Sequence, residues 1–163
     1  MLLAVQLTIN YISNTKTPQD KVKFQRLAQG SGIKAKSNRI LLIKNMISQM
    51  RKYRISYPMN EKIYSVEEHV PLVQKLLDLQ YPGEYRLDIF REFGKTKPAW
   101  KSKDRARNDL CLYLKDGHFY GIRKINTFFG TNYYCLDCEV TYKFKKVTVQ
   151  NAYQNVLDVA VWE

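Results

Sequence analysis

The dipeptide Asp116-Gly117 separates two apolar runs, residues 110–114 and residues 118–122. A short turn between two strands needs a left-handed backbone, which glycine adopts without strain. The pattern therefore predicts an antiparallel β-hairpin whose turn contains Asp116-Gly117. Upstream, residues 85–90 (Tyr-Arg-Leu-Asp-Ile-Phe) alternate in character and predict a further strand with one face on the core.

Helical patterns come before these strands. Residues 20–28 predict a short basic helix, and a longer helix follows that Ser37 or Asn38 can cap. Residues 2–9 are apolar and predict a strand rather than a signal peptide, because no basic leader or cleavage site accompanies them. The apolar stripe of the longer helix consists of Ile40, Leu41, Ile43, Met46, Ile47 and Met50.

A third helix is predicted to begin at Ser65, since residues 65–68 (Ser-Val-Glu-Glu) fit a capping box. Pro71 offers an alternative start, because its missing N–H does no harm in the first helical turn. The turn-forming pair Pro82-Gly83 ends this helix.

Together these patterns predict an α+β domain, in which N-terminal helices pack on a small, mainly antiparallel sheet that ends in a Cys-x-x-Cys knuckle. The chain has 163 residues, 45% of them hydrophobic, so it can bury a core. We divide it into a basic helical segment (residues 1–64), an α+β segment (residues 65–146) and a C-terminal tail (residues 147–163). For the tail, both a strand and a short helix stay open.

The chain carries 27 Lys and Arg against 15 Asp and Glu, a formal charge of +12. Such a surplus attracts polyanions, most often nucleic acid. Six cations crowd residues 94–108 around Trp100, as in a loop that contacts phosphates; a solvated connector is the alternative. We expect sequence-tolerant DNA binding that weakens with salt. The candidate contacts are Lys101, Lys103, Arg105, Arg107, Lys124, Lys143, Lys145 and Lys146.

Three cysteines are too few for a disulfide framework and indicate a reducing compartment inside the cell, nuclear or cytoplasmic. No apolar run approaches the ~20 residues of a membrane span, so we expect no membrane partner. These features predict a soluble protein that is not secreted.

The pair Cys135 and Cys138 has the spacing of one half of a zinc site. Cys111 and His118 complete a set of four ligands only if the hairpin folds back over this pair. The alternative is a metal-free knuckle, with Cys111 in the core and His118 hydrogen-bonded beside the turn. Thioredoxin-like redox chemistry is disfavoured, because it needs the first cysteine at a helix start, whereas Cys135 follows strand-like sequence.

Residues 65–146 resemble the segment that precedes the catalytic core in protein-primed family B DNA polymerases of Maverick/Polinton-type transposable elements. The resemblance lies in the order and spacing of the matching stretches and covers about half of the chain. It implies a DNA-replication lineage. The matching stretches are residues 68–77 (Glu-His-Val-Pro-Leu-Val-Gln-Lys-Leu-Leu), 85–90, 112–120, 125–130 (Ile-Asn-Thr-Phe-Phe-Gly) and 133–138 (Tyr-Tyr-Cys-Leu-Asp-Cys).

The chain also departs from that family. Further Cys or His residues usually follow the cysteine pair, and here residues 142–146 (Tyr-Lys-Phe-Lys-Lys) take their place. The polymerase aspartate motifs are absent, so the resemblance carries over no catalytic role and we expect no enzymatic activity from this chain alone. Asp137 and Glu139 have the Asp-x-Glu spacing of family B exonucleases, but two-metal hydrolysis needs further carboxylates, so coincidence is the better explanation.

We therefore expect a non-catalytic portion of a transposon-type or virus-type DNA polymerase that binds DNA. Two alternatives stay open. One is a protein-interaction module with no nucleic-acid role. The other is a small zinc-dependent nuclease, which gives zinc as the only candidate cofactor.

Overall fold

The computed structural model describes residues 1–58, 65–92, 94–144 and 156–157. The architecture is α+β, as predicted: N-terminal helices accompany a mixed sheet, and a two-stranded hairpin follows it. The helices are α1 (Leu2–Asn14), α2 (Pro18–Gln29), α3 (Ile33–Lys52), α4 (Val66–Gln80) and α5 (Ile125–Phe128). The strands are β1 (Tyr85–Phe90), β2 (Trp100–Lys101), β3 (Asn108–Lys115), β4 (His118–Ile122), β5 (Thr131–Cys135), β6 (Val140–Phe144) and β7 (Val156–Leu157).

The apolar N-terminal segment is a helix, so the strand predicted over residues 2–9 is wrong. α1 buries six side chains and contacts α2, α3, β3 and β4. A helix that is covered on several sides needs no polar face. Its sequence is then a short apolar run, and such a run is equally compatible with a buried strand. None of the helices in the described ranges combines the length and the apolar content that crossing a membrane requires.

α2 confirms the predicted basic helix, and α3 begins earlier than predicted. The capping box of α2 joins Thr17 and Asp20. α3 starts at Ile33, directly after Gly32, so Ser37 and Asn38 lie inside the helix and do not cap it. The N-cap residue Gly32 makes no side-chain hydrogen bond, so no polar side chain marks the start of α3, and the polar residues at 37 and 38 are not a reliable signal here.

The buried face of α3 also differs from the predicted apolar stripe. Arg39 is buried, whereas Ile40 and Leu41 are exposed to 48% and 55%. Nη1 of Arg39 donates hydrogen bonds to the carbonyl oxygens of Leu27 and Gly30 at 2.8 and 2.9 Å. The guanidinium therefore satisfies carbonyl groups at the end of α2, and this contact fixes which side of α3 faces inward.

α4 begins where predicted. The Oγ of Ser65 accepts a hydrogen bond from the N–H of Glu68 at 3.3 Å, which confirms the serine half of the predicted capping box. Pro71 lies inside the helix and not in its first turn. The helix ends at Gln80, ahead of a turn in which Gly83 has a φ of 71°.

The main sheet has the strand order β2-β1-β3-β4-β7. β1 and β3 are parallel, a pairing that the sequence patterns did not predict, and the other three pairings are antiparallel. The predicted hairpin is confirmed: Lys115 pairs with His118, so Asp116 and Gly117 form the turn. Their φ angles of 51° and 78° are both left-handed, as a two-residue hairpin turn requires.

Both faces of β1 are buried, so the prediction of a single core face is wrong. Leu87 and Ile89 pack against the helices. Phe90 belongs to a second hydrophobic cluster on the opposite face of the sheet, which we call the second cluster. Because side chains alternate along a strand, Arg86 and Asp88 lie on the same face as Phe90. The second side is covered by α5, β5 and the turn after β5, which contribute Phe128, Tyr134 and Leu136.

Candidate nucleic-acid interface

The predicted phosphate-contacting loop is anchored to the rest of the fold. It contains β2, which pairs with β1. Nζ of Lys101 donates to Oε1 of Glu139 at 2.8 Å and to the carbonyl oxygen of Leu136 at 3.3 Å. Lys101 therefore holds the cysteine-containing turn against the edge of the sheet, and its charge is compensated within the protein.

Two more of the predicted DNA contacts also lie beside carboxylates. Nη2 of Arg105 lies 3.4 Å from Oδ2 of Asp137, and Nη1 of Arg107 lies 3.7 Å from Oε1 of Glu84. Both arginines are exposed, as is Lys103. The neighbouring carboxylates offset part of the charge of these two arginines, which weakens the attraction of each arginine for a phosphate.

The remaining predicted contacts are dispersed. Lys124 is exposed and directly precedes α5. Lys143 lies in β6. Lys145 and Lys146 lie outside the described residues. Lys101, Arg105 and Arg107 thus share one loop, and Lys124 lies on another segment of the chain, where its neighbour Arg123 lines a cavity together with Arg107.

Cys135 and Cys138 flank a tight turn between β5 and β6. The backbone N–H of Cys138 donates to Sγ of Cys135 at 3.3 Å. Hydrogen bonds from Cys138 lower the pKa of the Cys135 thiol, and the same side-chain contact raises the pKa of Cys138. Leu136, between them, is buried in the second cluster and anchors the turn to the sheet.

The four-residue zinc set is not assembled. Cys111 is buried in β3. His118 pairs with Lys115, which lies four residues after Cys111 on the same strand, so His118 is about 13 Å from Cys111 at ~3.3 Å per residue. In the ranges that the structure describes, no group of three or more His, Cys, Asp and Glu side chains is placed to hold a metal ion. Cys135 and Cys138 therefore supply two thiols, which do not amount to a closed tetrahedral site.

A buried arginine joins the cysteine turn to the sheet. Nε of Arg86 donates to Oδ1 of Asp109 at 2.5 Å, and its Nη1 donates to Oδ1 of Asp137 at 2.8 Å. Burial lowers the pKa of Arg86, but the hydrogen bonds to Asp137 and Asp109 outweigh it, so the pKa is raised. Asp137 and Glu139 thus bind different cations, which fits an ion-pair role for the Asp-x-Glu pair.

Asp88 lies beside this arginine and is fully buried. Its Oδ2 is 3.6 Å from Nε of Arg86, and neither carboxylate oxygen makes a hydrogen bond to the described residues. Burial raises the pKa of Asp88 to about 7, although the Arg86 charge acts in the opposite direction. Burial likewise raises the pKa of the Cys111 thiol well above its ordinary value.

The most basic surface lies on α2 and α3, in the segment that the sequence predicts to be basic but that contributes none of the candidate DNA contacts named above. Residues 1–58 contain eleven Lys and Arg and one carboxylate, a net charge of +10, and the rest of the chain contributes +2. A separate charge count for each segment would have revealed this. We call the exposed cations on these helices the helical basic surface; they are Lys21, Lys23, Arg26, Lys34, Lys44, Arg51 and Lys52.

No family model, no curated protein and no solved structure matches this chain.

Proposed function

We propose that this chain is a non-catalytic part of a DNA-replication protein of the family B polymerase lineage, and that it binds DNA through backbone phosphates. The observation that carries the binding proposal is the helical basic surface. Its seven exposed cations lie on two packed helices that contain one carboxylate, Asp20. Hydrogen bonds from Thr17 lower the pKa of Asp20, so this carboxylate serves the helix cap.

The dimensions of α3 suit a backbone contact. A helix of 20 residues is about 30 Å long. Duplex DNA presents a charge every ~1.7 Å along its axis, so several phosphates lie within reach of one helix. A lysine side chain is flexible and interacts with a phosphate through its charge, without a contact to a base. Such contacts favour binding that does not depend on the DNA sequence.

The replication lineage rests on the resemblance of residues 65–146 to protein-primed family B DNA polymerases. We assign no catalytic residue, because the polymerase aspartate motifs do not occur in this sequence. The proposed role is to hold DNA while another polypeptide or segment performs the chemistry.

Salt-dependent binding tests this proposal. We expect the double variant Lys34→Ala/Lys44→Ala to bind a duplex about tenfold more weakly at low salt, measured by fluorescence anisotropy. The slope of log K against log salt should shrink by about 2, one unit for each phosphate that the variant no longer neutralises. Both lysines are exposed and alanine favours helix, so the fold should persist.

The matched control is Lys103→Ala/Arg105→Ala, which removes the same charge from the loop. We expect its affinity to fall by less than about threefold, because Arg105 already lies beside Asp137. Absence of binding at low salt, or an affinity that salt does not change, would refute the proposal. If the loop variant loses more affinity than the helix variant, the DNA interface lies on residues 94–108 instead.

A protein-interaction module is the second candidate, and one observation favours it. Ile33, Ile40 and Leu41 are exposed on α3 to 86%, 48% and 55%, among the cations. A partner that covers them would bind through apolar area, which salt does not screen. A pull-down that survives nuclease and high salt, and that Ile40→Ser/Leu41→Ser abolishes, would support this candidate over DNA binding.

A further inference from the structure

A cavity of about 340 Å³ lies where α1 and α2 meet the segment between β4 and α5. Three cations line it: Lys21 from α2, and Arg123 and Lys124 from the segment before α5. None of the described residues that line it is a carboxylate. A concave site whose described lining carries only positive charges concentrates anions, because low-dielectric walls focus the field.

Aromatic and amide groups form the rest of the wall. Tyr11 and Phe24 are in edge-to-face contact, with ring centroids 5.2 Å apart and an interplanar angle of 63°. Phe24 is buried and fixes Tyr11, which is half-buried and lines the cavity. Nε2 of Gln25 donates to Oε1 of Gln29 at 3.4 Å, so each amide keeps further donors and acceptors for a ligand.

This combination is the chemistry that nucleotides require. Cations meet the phosphate, an aromatic ring stacks on the base, and amide groups bond to a base edge. The volume is near the lower end of ligand pockets, about 300 Å³, which suits one nucleotide unit and excludes a duplex. A base reaches such a site only when it is unpaired.

A neighbouring cavity of about 290 Å³ shares Tyr11 and Arg123 with the first and is lined also by Arg107. Its one lining carboxylate among the described residues, Asp109, accepts a hydrogen bond from Arg86. The two cavities together leave room for a second unit of a strand beside the first. We call the cavity lined by Lys21, Arg123 and Lys124 the nucleotide cavity.

We infer that the nucleotide cavity binds a single nucleotide unit, with the phosphate at Lys21, Arg123 and Lys124 and the base against Tyr11. The inference rests on the proposed function, because the unit would belong to an unpaired segment of the DNA that the helical basic surface attracts. A free nucleotide offers the same chemistry, and the experiment separates the two sources.

The test compares affinities for four probes: inorganic phosphate, thymidine monophosphate, oligothymidylate of about 12 nucleotides and a duplex. We expect oligothymidylate to bind most tightly, thymidine monophosphate less tightly and phosphate most weakly. On titration, the NMR resonances of the backbone amides around Tyr11 and Lys124 should shift. Tighter binding of thymidine monophosphate than of the oligonucleotide would identify a free nucleotide as the ligand and overturn the assignment to a strand. Equal binding of phosphate and thymidine monophosphate would overturn the role of the base.

Two variants make the test specific. Tyr11→Leu should weaken oligothymidylate binding by about 5- to 10-fold, the effect of removing one stacked base, and change duplex binding by less than about twofold. Lys124→Ala, an exposed position that leaves the core intact, should weaken oligothymidylate binding by about threefold or more. The control Lys75→Ala removes the same charge from α4, which does not line the cavity, and should have no effect.

The two proposals fail in different ways. If duplex binding follows the helical basic surface but Tyr11→Leu and Lys124→Ala bind oligothymidylate like the parent protein, the nucleotide cavity is refuted and the proposed function stands. If no duplex binds at low salt, the proposed function is refuted. Equal reductions for oligothymidylate and duplex in both cavity variants would also refute a site for an unpaired base.

Discussion

The N-terminal helices (residues 1–58) and the strand-rich region (residues 85–144) differ in how far their cations are paired with carboxylates. In residues 1–58 eleven cations accompany one carboxylate, and the cations of the helical basic surface are exposed. In the strand-rich region cations are paired across the fold, as Lys101 is with Glu139 and Arg86 is with Asp137. The same residue types therefore have two roles: on the helices they form the surface that we propose attracts DNA, and at Lys101 and Arg86 they hold the fold together.

A local cluster of cations does not by itself identify an interface. Residues 94–108 are densely basic in sequence, yet three of their cations lie beside carboxylates from distant segments. The helices are less crowded, but almost nothing in them offsets the charge. What attracts DNA is the uncompensated field, and that depends on the sum of both signs.

The largest effect is expected where the strand-rich region depends on its internal charges. Replacement of Arg86 by Met removes the hydrogen-bond donor to Asp109 and Asp137 and the cation that lies 3.6 Å from the buried Asp88. We expect the free energy of unfolding to fall by about 2–3 kcal/mol, because Arg86 is buried and donates two charge-assisted hydrogen bonds, although Asp109 and Asp137 are partly exposed. Urea unfolding monitored by circular dichroism measures this change.

A matched control separates burial from charge. Arg91 pairs with Glu67 at 3.3 Å, but both side chains are about half exposed or more, at 47% and 68%. Arg91→Met should therefore change the unfolding free energy by less than about 0.5 kcal/mol. Equal effects of Arg86→Met and Arg91→Met would mean that the Arg86 network does not hold the strand-rich region together.

A smaller effect, with a definite pH dependence, is expected at Asp88. Burial raises its pKa from 3.8 to about 7, so the folded protein keeps this proton where the unfolded chain has lost it. The resulting stabilisation is complete below pH ~4 and is lost as the pH rises through ~7. We expect Asp88→Asn to be more stable than the parent protein by about 1–3 kcal/mol near pH 8, with no gain near pH 4.

Unfolding at both pH values checks this expectation. A variant that is less stable than the parent near pH 8 would show that the ion pair with Arg86, at 3.6 Å, outweighs the cost of burying the carboxylate. The Arg91→Met control should show no comparable change with pH.

Local signals predicted much of the fold. The Asp116-Gly117 hairpin, the cap at Ser65 and the strand over residues 85–90 each depend on a few adjacent residues, and the structure has all three. α1 was misjudged because its surroundings, and not its own pattern, decide between helix and strand. The parallel pairing of β1 with β3 joins segments that the sequence patterns do not connect.

The candidate site was predictable only in part. Composition indicated a polyanion partner, but the partners of Lys101 and Arg86 lie 38 and 51 residues away, so their neutralisation depends on the tertiary fold. The nucleotide cavity likewise depends on the tertiary fold. Tyr11, Phe24 and Lys124 meet only because α1 and α2 pack beside the segment that follows β4.

Lysine footprinting shows whether duplex DNA binds to α3 or to the loop of residues 94–108. The protein is acetylated with a limiting reagent, alone and with saturating duplex DNA, and the modification of each lysine is measured by mass spectrometry. We expect protection of Lys34, Lys44 and Lys52 on α3, with Lys75, Lys97 and Lys103 modified equally in both samples. Protection of Lys103 together with unchanged modification of the three α3 lysines would contradict this expectation.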